Sequence, residues 1–307
     1  MADEQREGGR FSVTLEEDGA TILVDGEVFT RYLKRSGTRP VLWPIIGPTG
    51  SAMTRAYPVA ASEAPEETDH VHHRSLWFGY EGVNGCDFWH EPEAGVTRPF
   101  EIGSVVHREF VRADSGGRVA TVATRNDWNN ASGQTVCHDE RILQFGADRD
   151  TRWIDFRIKL WSANGPLVIG DSKEGCFALR VPSTMRVDEK QGGRIINSAG
   201  QEDAEAWGQP AEWVDYSGPV DGEIVGITIM SHPDSFQSKP RWHVRTYGLF
   251  GANPFGKAAF EGEGTEPARV ELPEGERLFL RYRVTFHRGH GRSQAVGNRF
   301  KRFADSK

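Results

Sequence analysis

The stretch WIDFRIKLW, Trp153–Trp161, decides the fold class. Ile154, Phe156, Ile158 and Leu160 alternate there with Asp155, Arg157 and Lys159. Successive side chains of a β-strand point to opposite faces, so a period of two predicts a strand with one buried face and one wet face. LFLRYRVTFH, Leu278–His287, repeats the pattern with Leu278, Leu280, Tyr282, Val284 and Phe286 on one side. EIVGITIMS (Glu223–Ser231) and RVATVATRN (Arg118–Asn126) are rich in β-branched residues and read as further strands.

The turns agree. FSVTLEEDGATILVDGEVFTRYL, Phe11–Leu33, holds two Asp-Gly pairs, Asp18-Gly19 and Asp25-Gly26, between short alternating segments. Asp-Gly between alternating runs is a strong hairpin signal. Helical periodicity is scarce. Val296, Phe300 and Phe303 recur at i, i+4 and i+7 behind Ser293, a candidate N-cap. The expectation is a mainly β chain: a large antiparallel β-sandwich of two packed sheets, closed by a short C-terminal helix, forming a single domain over residues 11–307. The polar residues 1–10 are expected to be disordered.

Composition excludes several classes of partner. The chain has 307 residues, is 37% hydrophobic, and carries a formal net charge of −7 with a pI near 5.8. Nucleic acids and anionic membranes select basic faces, so neither is an expected partner. No run approaches the ~18 apolar residues of a membrane span. Cys86, Cys137 and Cys176 are odd in number and widely spaced, which gives neither a disulfide framework nor a zinc motif. A polar N-terminus and reduced cysteines lead to an expected cytoplasmic location.

The chemistry concentrates in DHVHHRSLWFGYEGVNGCDFWHE, Asp69–Glu91. On a strand, His70 and His72 share a face and His73 opposes them. Two same-face imidazoles with a carboxylate suit a divalent metal; one imidazole poised near neutrality suits acid–base work; either reading competes with histidines that only satisfy turns. The spacing approaches a cupin motif, but the next glutamate, Glu81, stands too far on, and no HxD triad is present. In HDERILQF, Glu140 reads as a general base, a metal ligand or half of a surface ion pair. Lys173 and Glu174 stand in a turn before a strand. WHVRTYGLFGANPFG brings His243, Arg245 and Asn253 together, and Arg245 is suited to clamp a carboxylate or a hydroxyl pair. WGQPAEWVDYSG supplies Trp207 and Trp213, which suit sugar stacking or a core.

RAYP (Arg55–Pro58), Asp69–Glu91, DSKEGCFALRV (Asp171–Val181), WGQPAEWVDYSG (Trp207–Gly218) and YGLFGANPFG (Tyr247–Gly256) together resemble the signature blocks of the PmoA-like family. That family is named after a methane oxygenase, an integral membrane protein, and this sequence has no apolar run to match such a role. The resemblance implies a fold similar to the galactose-mutarotase-like supersandwich proteins and a link to sugar metabolism.

The resulting expectation is a carbohydrate-active enzyme acting on a mono- or small oligosaccharide, or a keto sugar. His73, Glu140, Lys173, Glu174 and His243 are expected to be catalytic. Arg74, Trp77, Asn84, Trp89, Trp207, Trp213, Arg245 and Asn253 are expected to contact the sugar. His70 and His72 are expected to hold a divalent metal, Zn, Mn, Ca or Fe. Lyase, hydratase, hydrolase and epimerase chemistries stay open. The alternatives are a non-catalytic sugar-binding or regulatory protein and a metal-dependent oxygenase.

Overall fold

The computed structural model describes residues 10–61 and 66–306. Residues 1–9 of the segment expected to be disordered lie outside the described residues. Arg10 is described, and it ion-pairs with Asp25 at 2.9 Å.

Two sheets form, as the alternation predicts. The first follows the order Phe11–Leu15, Gly19–Val24, Glu27–Ser36, Arg39–Ile45, Leu76–Val83, Gly175–Arg180, Leu249–Asn253 and Arg241–Val244, with antiparallel neighbours. Short strands Cys86–Asp87, Glu101–Ile102, Leu167–Ile169 and Val270–Leu272 extend it beside Leu76–Val83. The second follows Arg194–Asn197, Trp213–Val220, Glu223–Ser231, Leu278–Arg288, Thr151–Ser162, Thr135–Ala147, Val119–Asn129 and Ser104–Asp114, also antiparallel.

The sheets meet face to face. Ile154, Ile158, Leu280 and Val284 from the second sheet join Phe78, Phe177 and Phe250 from the first in one buried core. Phe78 and Phe156 are 5.7 Å apart, and Phe177 stacks on Tyr282 at 4.9 Å. Each such side chain, taken fully out of water, stabilises the fold by ~1.5–3 kcal/mol. Asp155, expected on the wet face, is instead buried. Arg283 grips it through two bonds of 2.5 and 2.8 Å, and its guanidinium lies over the rings of Trp153 and Phe303.

Phe303 belongs to the C-terminal helix, Ser293–Ala304, which covers that outer face. Val296 and Phe303 pack on Ile196, Trp213 and Met230, with Phe300 against them. Ser293 is the first helical residue and not the cap; Arg292 holds the cap position without a side-chain bond. Both Asp-Gly pairs lie at hairpins. Asp25 and Gly26 have φ of 53° and 85°, the left-handed pair that a two-residue turn requires. Gly19 serves closeness instead: a Cβ there would sit 1.9 Å from the Tyr32 carbonyl oxygen. All three cysteines are buried and free. No helix among the described residues is long and apolar enough to cross a membrane.

Register places the site. Trp77, Ala178, Gly251 and His243 are successive partners across four strands, so they share one face. The neighbouring row, Phe78, Phe177, Ala252 and Trp242, points into the core. His243 is therefore carried on the face of the first sheet that turns away from the second. Alanine and glycine fill the middle of its row and leave room above the sheet.

Candidate active site

Above that row lies a cavity of ≈ 520 Å³. Three loops and two strand ends build it: Asp69–His73, His90–Arg98, Lys173–Glu174 and the His243–Leu249 hairpin line its walls. The structure thus brings together His70, His72, His73, Lys173, Glu174, His243 and Arg245 from the predicted set. It adds His90, Glu93, Arg98 and Tyr247.

Buried arginines hold the histidine loop. Arg55 donates to the carbonyls of Tyr57, Glu67 and Asp69 and to the Asp69 carboxylate. Arg180 reaches both Asp69 oxygens at 3.1 Å. Burial pushes the Asp69 carboxyl up, but the His70 hydrogen bond and the two arginine charges outweigh it and hold it well below the usual carboxylate range. With the loop fixed, His70 keeps a left-handed backbone, φ 48°, which a non-glycine residue adopts only when its surroundings impose it. Its ring stacks between His73 at 4.6 Å and Tyr247 at 5.4 Å.

The imidazoles are not equivalent. Arg180 Nη1 lies 3.1 Å from His73 Nδ1. A guanidinium only donates, so Nδ1 accepts and the ring proton sits on Nε2. Burial, then the His72 and Arg180 charges, push the His73 pKa far down. Burial also lowers His72 to about 2, helped by His90 and Arg39, and lowers His243 to about 3, helped by Arg245. His243 Nδ1 is 2.9 Å from the Lys173 carbonyl, so it donates there. These three rings are neutral at physiological pH. They offer hydrogen bonds to a ligand but are poor bases.

His90 differs. Its Nδ1 lies 2.8 Å from Oδ2 of the fully buried Asp87. Asp87 Oδ1 accepts the backbone N–H groups of Trp89 and His90 at 2.8 and 3.0 Å. Burial pushes the Asp87 carboxyl up, yet these bonds bring its pKa below the ordinary value. An ionised Asp87 fixes the proton on His90 Nδ1 and leaves Nε2 as a lone pair. No hydrogen bond among the described residues uses that Nε2.

Glu174 faces the same cavity. Burial pushes its pKa up against the charges of His90 and Lys173. Its loop is fastened from below. Asn253 Nδ2 donates to the Ser172 carbonyl at 2.9 Å, the Tyr80 hydroxyl bonds the same residue at 2.9 Å, and Ser172 Oγ accepts the Glu174 N–H at 3.1 Å.

Several predicted residues lie elsewhere. Glu140 is on the second sheet, on Thr135–Ala147, and pairs with Arg125 at 3.3 Å. It is a surface ion-pair residue, because alternation turns Asp139 and Arg141 inward and Glu140 out. Arg74 is spent on Glu91 through two bonds of 2.5 and 2.7 Å. Asn84 ties the Val168 backbone at 2.7 Å. Trp213 is core beneath the helix. Trp77 and Trp89 are buried under the histidines, Trp77 stacking on His73 at 5.4 Å. Trp207 stands behind Arg245 at 5.5 Å, and Asn253 is a fully buried brace.

For a metal, Glu81, Asp87 and His90 bring three ligand atoms within 4.8 Å of one another. His70 and His72 join no such group among the described residues. His70 Nδ1 is turned onto Asp69 at 2.6 Å, and 41% of its side chain stays exposed. In that group Asp87 accepts from three N–H donors, and Glu81 Oε2 accepts from the Ser172 hydroxyl at 2.5 Å.

Residues 19–301 match the family of unknown function DUF6807, and the chain belongs to that family. This match gives no evidence for the PmoA-like family whose blocks the sequence resembles. No curated protein matches the chain. Solved structures with some likeness include a protein of Escherichia coli K12 provisionally assigned as an aldose 1-epimerase, 12% identical, covering 92% of this chain and 100% of that one, TM-score 0.36. A galactose mutarotase related enzyme from Lactobacillus acidophilus is 11% identical over 90% of this chain and 97% of that one, TM-score 0.32. The galactosidase domain of an alpha-galactosidase-sucrose kinase is 10% identical, covering 91% of this chain and 42% of that one, TM-score 0.38.

Proposed function

We propose that this DUF6807 chain is a proton-transfer enzyme acting on a small sugar bound in the cavity above the first sheet. The observation that carries the reading is the pairing of His90, set by buried Asp87, with Glu174, whose proton is favoured by burial, across one polar cavity. His90 Nε2 takes a proton from the substrate, and Glu174 delivers one. A ring nitrogen left free to accept and a carboxyl that holds its proton let one site run acid and base steps together. His72, His73 and His243, held neutral, bond sugar hydroxyls without adding charge. The His70–Tyr247 stack offers a flat surface to the apolar face of a pyranose.

Epimerisation, anomeric interconversion and elimination all need this acid–base pair. Glycoside hydrolysis by two facing carboxylates has less support, since Asp69 is locked between two arginines and Glu93 lies on the exposed loop. The test is proton NMR in deuterated water with a panel of aldoses and keto sugars. Substrate-dependent deuterium uptake, or faster anomeric exchange, abolished by His90→Gln and Glu174→Gln in folded protein, is the expected result. Sugar binding without any exchange would reassign the cavity to ligand sensing.

A further inference from the structure

We infer, building on that reading, that the sugar carries a carboxylate, as in uronates and aldonates, and that Arg245 is its anchor. The chain as a whole is acidic, with a net charge of −7, yet the cavity holds a guanidinium, that of Arg245, with no counter-charge among the described residues. Arg245 lies over the rings of Trp207 and Tyr247, 5.5 and 5.6 Å from their centroids. Among the described residues its side chain makes no hydrogen bond and no ion pair. Arg98 keeps a buried Nε without a partner and touches an acid only at 3.6 Å, through Glu93. Lys173, also in the lining, is exposed.

The acids of the cavity do not balance these cations. Asp69 is already engaged by Arg55 and Arg180, and Glu93, the other ionised acid of the lining, stands beside Arg98. Glu174 is biased toward its neutral form. Arg245 is half-buried, and its guanidinium donors are free to meet a ligand in the cavity. The two ring faces fix its plane, and a planar fork of N–H groups matches a carboxylate through two parallel bonds. Arg245 follows the strand that carries His243, so the anchored group would lie beside His243, with the sugar ring extending toward His90 and Glu174.

The experiment is calorimetric titration of the full chain with D-glucuronate, D-galacturonate and D-gluconate, against D-glucose, D-galactose and glucose 6-phosphate at fixed ionic strength. Acidic sugars are expected to bind at least about tenfold more tightly than their neutral counterparts. Arg245→Gln should erase that preference, lowering affinity for acidic sugars about tenfold more than affinity for neutral ones; Arg245→Lys should restore part of it. Melting curves of both variants report folding, and the wild-type comparison stands without them. Equal affinity for acidic and neutral sugars would overturn the carboxylate assignment and leave the sugar site intact. So would a preference for the phosphate ester, or a preference that survives Arg245→Gln. Binding of neither class would remove the sugar reading and this inference together.

Discussion

His90 Nδ1 donates to Asp87 Oδ2 across 2.8 Å, and the carboxylate that receives it is wholly buried. Asparagine at position 87 keeps an oxygen for the two backbone N–H groups but replaces the other with an N–H donor. The imidazole must then accept at Nδ1 and carry its proton on Nε2, where it cannot act as a base. Asp87→Asn is expected to lower turnover by about 10²–10⁴-fold with little change in substrate affinity. Steady-state kinetics beside a melting curve check this; a normal rate in folded Asp87→Asn would remove His90 from the chemistry.

Glu174 should appear in the pH profile. Its pKa is raised by burial, so the protonated, proton-delivering form persists to higher pH than for an ordinary glutamate. Activity should fall on the alkaline side as that proton is lost. Glu174→Gln should flatten this limb and lower the rate throughout, because the amide cannot pass a proton on. An unchanged alkaline limb in Glu174→Gln would assign the limb to another group.

Stability should depend on pH through His72 and His243, whose pKa values fall to about 2 and about 3 on folding. Below ~6.5 the unfolded chain binds protons that the folded chain refuses. Their contribution is complete above that pH and is lost as the pH falls toward the folded values. Each histidine adds a slope of at most roughly 1.4 kcal/mol per pH unit in that window. Urea unfolding of His243→Gln between neutral pH and mild acid should show a shallower loss than the parent. An equally steep loss would place the acid sensitivity elsewhere.

Arg74 and Glu140 should behave in opposite ways. Arg74 and Glu91 form a two-bond pair with side chains only 14% and 8% exposed. Arg74→Ala removes both short bonds from a buried carboxylate and leaves it only Arg39, 3.6 Å away, so it should cost up to about 3 kcal/mol of stability. Glu140 makes one 3.3 Å contact with an exposed arginine. Glu140→Gln should leave both melting temperature and activity where they were. A catalytic loss in that variant would contradict the placement of the site on the first sheet.

The strand alternation in Trp153–Trp161 and Leu278–His287 determined the two packed sheets, because a period of two dictates which side chains meet the core before any partner strand is known. The clustering of His70, His72 and His73 marked a loop that lines the cavity, and the segments holding Lys173, Glu174, His243 and Arg245 were legible as polar groups on turns and strand ends. What the sequence left open was which of these share a surface. Glu140 and Glu174 look alike in one dimension. Register across Leu76–Val83, Gly175–Arg180, Leu249–Asn253 and Arg241–Val244 put Glu174 at the cavity, while Glu140 went to the other sheet. Only the tertiary structure paired Asp87 with His90, occupied Arg74 with Glu91, and left Arg245 without a counter-charge. Those outcomes depend on distances between strands far apart in the chain, and local spacing carries no information about them.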